Sequence, residues 1–158
     1  MTVDAQDEFA DWVGPHLGVM ALLAARLAGP ADRDDVVQEA LTRAWRKRHL
    51  YDSERGTARA WLCAIVADRA RRTRTRAARR RPAGAACEVA VRGPDATAVD
   101  VERAVATLPE RMRLAVDCFY FVDLTIAETA AVMGVSEGTV KSTLSDARAR
   151  LRTMLEET

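Results

Sequence analysis

The chain has 158 residues, room for one domain or two small ones, and its 24 Lys and Arg nearly balance its 23 Asp and Glu. That balance hides a strong polarity: residues 1–40 hold two Arg against eight acids, residues 41–81 hold fourteen Lys or Arg against three acids, and residues 82–158 hold eight against twelve. A basic block of net +11 between acidic flanks points to a polyanionic partner, most simply nucleic acid.

No apolar run is long enough for a membrane span, and the opening stretch MTVDAQDEF is acidic rather than signal-like, so no membrane insertion and a cytoplasmic location are expected. Cys63, Cys87 and Cys118 are far apart, with no CxxC or CxxH; they read as thiols of a reduced compartment, with no metal expected. His16 and His49 have no partners at triad or ligand spacing and read as structural. Without a Gly-rich phosphate loop or a GxSxG, no catalytic residue and no cofactor are expected, and the chain is not read as an enzyme.

Gly and Pro punctuate a series of helical blocks, and no strand-like alternation interrupts them, which predicts an all-α fold. Phe9, Val13, Leu17, Met20, Leu23 and Leu27 follow helical spacing, with Gly14-Pro15 as a break or kink. The segment GPADRDDVVQEALTRAWRKR predicts a second helix. Asp32 is its expected cap, Asp34 and Asp35 complement the dipole at its start, and Lys47 and Arg48 do so at its end. Val37, Leu41, Ala44 and Trp45 are its expected apolar stripe. After a loop, HLYDSERG, Thr57 is expected to cap a third helix with Ala58, Trp61, Leu62, Ile65 and Val66 facing inward.

Beyond Val66 the apolar signal stops. Residues 69–81, RARRTRTRAARRR, hold eight Arg and no acid. Like charges at i+3 and i+4 oppose a helix, and a polyanion would relieve that repulsion, which favours phosphate contact over a merely solvated face. PAGAACEVAVRGPDATA, residues 82–98, has no lasting period and reads as a flexible linker.

Val101 to Thr107 forms the next block, and Pro109 is placed to open another helix, lined by Met112, Ala115, Val116 and Phe119 and made apolar nearly all round at its end by Tyr120 and Phe121. TIAETAAVMGVSEGTVKSTLSDARARL then has helix-turn-helix grammar. Thr125 caps the first helix, Ile126 and Ala130 pack inward, Gly134 makes the turn and Ser136 caps the second helix. The inner stripe of that helix is Val140, Leu144, Ala147 and Leu151. Its opposite face holds Glu137, Gly138, Lys141, Ser142, Ser145 and Arg148, with Asp146 at the flank. Small residues near base edges and basic ones near phosphates suit a helix entering a major groove.

Two DNA-facing surfaces thus flank a linker whose seventeen residues span about 56 Å extended but about 23 Å as a coil. Stretched between helical domains about 25–30 Å across, it would let the surfaces touch DNA about 25 base pairs apart. Something must hold it open, which suggests a large partner.

Three segments in order resemble one family. DRDDVVQEALTRAW, RGTARAWLCAIVADRARR and LPERMRLAVDCFYFVDLTIAETAAVMGVSEGTVKSTLSDARARLR are similar to the motifs of the extracytoplasmic-function (group IV) sigma factors of bacterial RNA polymerase. The resemblance implies two small helical domains joined by a flexible linker, the C-terminal one containing the helix-turn-helix. Residues 1–81 would bind core RNA polymerase, through Asp35, Gln38, Glu39 and Arg43 in the segment ending at Trp45. They would also recognise and melt the −10 element, through Tyr51, Arg55, Trp61, Asp68, Arg69, Arg71 and Arg72. Residues 82–99 would be the linker. Residues 100–158 would read the −35 element of promoter DNA, through Ser136, Thr139, Lys141, Ser142, Ser145, Asp146 and Arg148. An anti-sigma factor is an implied further partner.

Departures from the family pattern stand out. Asp68 occupies a usual Asn position, and Thr143 and Asp146 occupy usual Arg positions. Asp146 has three open readings: acceptance from a cytosine amine, repulsion of phosphate, or a helical salt bridge to Arg150. The rival function is a stand-alone helix-turn-helix transcriptional regulator. A nuclease reading would need paired acids near the arginine run, where Asp68 stands alone.

Overall fold

The computed structural model describes residues 3–80 and 96–157, with side chains from residues 4 and 97 onward. The chain divides into two compact units, Met1–Arg79 and Arg80–Thr158. The described residues are helical with turns between, and no strand is found among them. None of their helices is long and apolar enough to cross a membrane.

The first unit begins with helix α1 (Val3–Val13), a 3-10 turn (Gly14–His16) and helix α2 (Leu17–Ala28). Pro15 has no N–H to continue an α-helical ladder, which explains the tighter turn at the expected break. Met20, Leu23, Ala24 and Leu27 of α2 are buried, whereas Leu17, which shares their sequence periodicity, is exposed. Gly29 closes α2 at φ +89°, a conformation costly for any other residue, and donates its N–H to the Ala25 carbonyl.

Helix α3 (Arg33–Lys47) packs on α2, along only part of the expected stripe. The buried line is Val36, Ala40 and Ala44; Ala44 was expected there, while Val37, Leu41 and Trp45 of the expected stripe are half-buried at its flank. Alanines at i+4 and i+8 let two helix backbones approach closely, so small residues rather than large ones mark the contact line. Asp32 sits at the cap position without capping: its backbone is helical, at φ −96° and ψ −5°, and its side chain makes no cap bond. A capping carboxylate needs an extended backbone to reach forward to the amides. At the other end, a guanidinium nitrogen of Arg48 donates to the Trp45 carbonyl at 2.6 Å and satisfies one orphan acceptor.

Arg48–Leu50 forms a second 3-10 turn, and helix α4 (Ala58–Arg80) follows the loop. Thr57 caps α4 as expected, its hydroxyl accepting from the Ala60 amide at 3.1 Å. Leu62, Ile65 and Val66 are buried, with Ala60, Cys63, Ala67 and Ala70; Ala58 and Trp61 are half-buried. The core-facing stripe therefore continues one turn past Val66, carried by alanines that a search for large apolar residues passes over.

In the second unit, helix α5 (Ala96–Thr107) begins inside the segment expected as linker, which corrects its boundary at 99; residues 81–95, including Cys87, lie outside the described residues. Helix α6 (Glu110–Val116) opens with Pro109 at its cap position, one place before the expected first turn, because Pro109 is still extended at ψ 145°. A π-turn (Asp117–Phe121) follows α6 and closes with the Val122 amide on the Asp117 carbonyl. Helices α7 (Ile126–Met133) and α8 (Glu137–Glu156) complete the unit. Its core joins Val105, Leu108, Ala115, Val116, Ala130, Val140, Leu144 and Ala147, with Ile126 and Leu151 packed partly buried against them.

Candidate nucleic-acid interface

The α7–α8 corner is specified by caps at both helix starts. Thr125 accepts from the Glu128 amide at 3.1 Å while the Glu128 carboxylate accepts from the Thr125 amide at 3.0 Å, a reciprocal box that fixes the start of α7. Gly134 takes the left-handed conformation at φ +67° and ψ 35° that the turn needs. Ser136 then caps α8, its Oγ accepting from the Thr139 amide.

With Val140, Leu144 and Ala147 buried, the outward face of α8 is fixed. Ser136, Glu137, Gly138, Lys141, Ser142, Ser145, Asp146 and Arg148 are all exposed on it or beside it. Thr139 is half-buried, and its hydroxyl is engaged with Ser136 Oγ at 2.9 Å, so it belongs to the cap as well as to the face. Ser142 Oγ donates to the Thr139 carbonyl. Asp146 and Arg150 are both exposed and are not paired with each other. Arg148 donates to the Tyr120 hydroxyl at 3.0 Å; that exposed tyrosine comes from the π-turn, a contact no sequence spacing announces.

The first unit carries a different surface. Tyr51 and Trp61 face each other at 5.7 Å between ring centroids, and Trp12 joins both, at 5.2 Å from Tyr51 and 6.0 Å from Trp61. Phe9 extends the cluster to Trp45, whose other contact is the Arg48 guanidinium stacked 3.7 Å from its ring. The sequence reading singled out Tyr51, Trp61 and Trp45 but missed Trp12. The available signal was Phe9 and Trp12 at i, i+3 on one face of α1. The loop is braced by Asp52, which accepts from the Glu54 amide at 3.0 Å and pairs with Arg55 at 3.6 Å, and by the Tyr51 hydroxyl donating to the Gly56 carbonyl.

Along α4, Trp61, Asp68 and Arg72 fall on one stripe, about 10 Å and then about 6 Å apart along the axis. Asp68 holds three arginines: Arg71 at 2.9 Å, Arg72 at 3.3 Å and Arg69 at 3.6 Å. Burial raises the Asp68 carboxyl pKa, but the Arg71 hydrogen bond and the charges of Arg72, Arg69 and Arg71 outweigh it, so the group lies below its ordinary value. Arg69 is largely buried, and its Nε has no partner. Arg71, Arg72, Arg76, Arg79 and Arg80 are exposed.

On α3, Asp35 and Glu39 follow one another at helical spacing with Arg43 on the next turn; Asp35, Gln38 and Glu39 are exposed and Arg43 is half-buried. They flank the buried Val36–Ala40–Ala44 line. No group of three or more His, Cys, Asp or Glu is arranged to hold a metal ion among the described residues.

Comparison with known proteins identifies relatives of both units. The family model described as Sigma-70 region 2 matches residues 16–80, and that described as Sigma-70, region 4 matches residues 98–151. The ECF RNA polymerase sigma factor SigL of Mycobacterium tuberculosis is 32% identical over 151 residues, which cover 90% of this chain and 85% of SigL. Among solved structures, CnrH in complex with the cytosolic domain of CnrY aligns with TM-score 0.72 at 27% identity, covering 96% of this chain and 90% of that one. The sigma factor RpoE of Bartonella quintana, in complex with the anti-sigma factor NepR, aligns with TM-score 0.74 at 25% identity, covering 94% and 97%.

Proposed function

The chain belongs to the ECF RNA polymerase sigma factors, and on that premise we propose how its residues divide the work of a promoter-specificity subunit. Residues 1–81 engage core RNA polymerase through the Asp35, Gln38, Glu39 and Arg43 face of α3. They capture the opened −10 strand with Tyr51, Trp61, Arg55 and the α4 arginines Arg69, Arg71 and Arg72, among which Asp68 lies. The residues between α4 and α5 connect the two halves. Residues 100–158 read the −35 element with the outward face of α8, where Ser136, Thr139, Ser142 and Ser145 meet base edges, and Lys141 and Arg148 meet phosphate. The chain carries no catalysis of its own: polymerase performs the chemistry, and this subunit supplies the address and helps open the duplex. It works in the cytoplasm, and an anti-sigma protein is its inhibitor, as RpoE has NepR.

One observation carries this reading above all. The chain joins a braced aromatic cluster beside an arginine-rich helix to a capped helix-turn-helix, and strand capture needs the first while duplex reading needs the second. A stand-alone regulator has no use for the aromatic and arginine surface, and finds no support.

Asp146, exposed and unpaired with Arg150, changes −35 reading, either by accepting from a cytosine amine or by repelling phosphate. The test is to map transcript 5′ ends made in vitro by core polymerase on fragmented genomic DNA, with and without the chain. New start sites sharing two spaced elements are expected. A sharply defined upstream element assigns Asp146 to base reading, and a degenerate one assigns it to weakening. The absence of new start sites with folded, inhibitor-free protein would overturn the division of labour proposed here.

A further inference from the structure

We infer that Asp68 is an intramolecular competitor of the DNA strand: its carboxylate occupies, on Arg69, Arg71 and Arg72, the place that a phosphodiester of the opened strand takes over. The inference rests on the strand-capture reading of α4 and assigns Asp68 a role opposite to that of a contact residue.

Three guanidiniums converge on this one carboxylate, at 2.9, 3.3 and 3.6 Å. Residues 69–80 contain no other acid, so no second carboxylate within the run shares the load. Guanidinium recognises carboxylate and phosphate through the same forked donor geometry, so the two anions compete for the same nitrogens. Position adds to the argument. Asp68 lies on the α4 stripe between Trp61 and Arg72, and Arg76 and Arg79 lie beyond. A strand stacked on the Tyr51–Trp61 pair and running toward those arginines crosses Asp68 on the way. An ionised carboxylate only accepts hydrogen bonds and repels phosphate, so the strand must draw the arginines away from it.

The ordinary alternative is that Asp68 stabilises the helix, since an acid preceding bases at i+3 and i+4 is the favourable orientation. The two roles predict opposite signs. If Asp68 only supports α4, neutralising it loosens the arginine surface and weakens strand binding. If it competes, neutralising it frees three guanidiniums and tightens binding.

The experiment uses holoenzyme reconstituted from core polymerase and the full chain, as wild type, Asp68→Asn, Asp68→Ser and the double variant Arg71→Ala/Arg72→Ala. The probe is fluorescein-labelled single-stranded DNA carrying the non-template −10 segment of a promoter that the holoenzyme uses. Each neutral variant is expected to bind about three- to ten-fold tighter at about 0.1 M salt. The dependence of log affinity on log salt should steepen by about 0.7 for the one strand phosphate gained, a readout that a purely structural role does not move. The double variant should bind more weakly and with a shallower slope. Inorganic phosphate at matched phosphate concentration should leave the probe bound; displacement by it would assign the site to a free anion and overturn the strand assignment. Weaker or unchanged binding by both neutral variants, with the double variant weakened, would overturn the competitor and leave strand capture standing. An unaffected double variant would overturn strand capture and this inference together. Helix content and melting temperature of Asp68→Asn and Asp68→Ser confirm that each is folded.

Discussion

Past Asp68, the exposed surface of α4 is dominated by guanidinium, from Arg71, Arg72, Arg76, Arg79 and Arg80, whereas the outward face of α8 holds Lys141 and Arg148 among Gly138, Ser142, Ser145 and Asp146. The first surface is suited to binding through charge, which is long-ranged, salt-sensitive and indifferent to sequence. The second is suited to binding through shape and short polar groups, which work only if the helix is held in the right place. The supports differ accordingly. Helix α8 rests on a packed core and two capped helix starts, while Arg71 and Arg72 project from the exposed side of α4 and are paired with one carboxylate, Asp68. On the proposed reading grip and address reside in different units, and each unit carries the kind of order such a task requires.

Disturbing the packed support should give the largest effect. Leu144 is 2% exposed and lies in the core beneath α8's outward face, so Leu144→Ala should cost about 2–5 kcal/mol of stability in the second unit, measured by thermal unfolding of the full chain. Dependence of transcription on the −35 element should fall with it, while strand binding through α4 keeps its salt slope. A smaller loss tests the corner itself: Thr125→Ala removes the capping box at α7 and should cost about 1 kcal/mol. The opposite sign is expected at Thr129, fully buried in α7 with a hydroxyl that has no partner. Thr129→Val should be neutral or stabilising by up to about 1 kcal/mol, with promoter choice unchanged in the same transcription assay.

The smallest effect belongs to the other unit. The Asp68 pKa is depressed in the folded chain, so its ion pairs contribute stability above the unfolded value of about 4, and that contribution is lost as pH falls through the lower folded value. Wild type and Asp68→Asn should therefore differ by under about 1 kcal/mol near neutrality and converge below about pH 4, followed by circular dichroism in denaturant.

Much of this division was legible in the sequence because local rules dictate it. Thr57, Thr125 and Ser136 cap as expected, Gly14-Pro15 breaks the first helix, and Gly134 makes the turn, since caps and turns depend on residues three or four positions apart. What escaped depends on tertiary contact. The α2–α3 contact follows Val36, Ala40 and Ala44 because close approach of two helices favours small residues, a preference the larger Val37, Leu41 and Trp45 conceal. Trp12 meets Trp61 at a sequence separation of 49, and Tyr120 meets Arg148 at 28, separations at which periodicity carries no information. Asp32 looked like a cap by residue type, but its backbone conformation decides otherwise. Asp68 looked isolated among arginines, and the helix turns that isolation into three ion pairs.

The separation of grip from address is tested most directly by in vitro initiation with two double variants, Arg71→Ala/Arg72→Ala and Lys141→Ala/Ser142→Ala. Each would be assayed on promoter templates with the −35 element intact or scrambled. The α4 variant should lower initiation by the same factor on both templates. The α8 variant should lower it on the intact template alone, shrinking the ratio between the two. An α4 variant that acts only on the intact template, or an α8 variant that acts equally on both, would contradict the account.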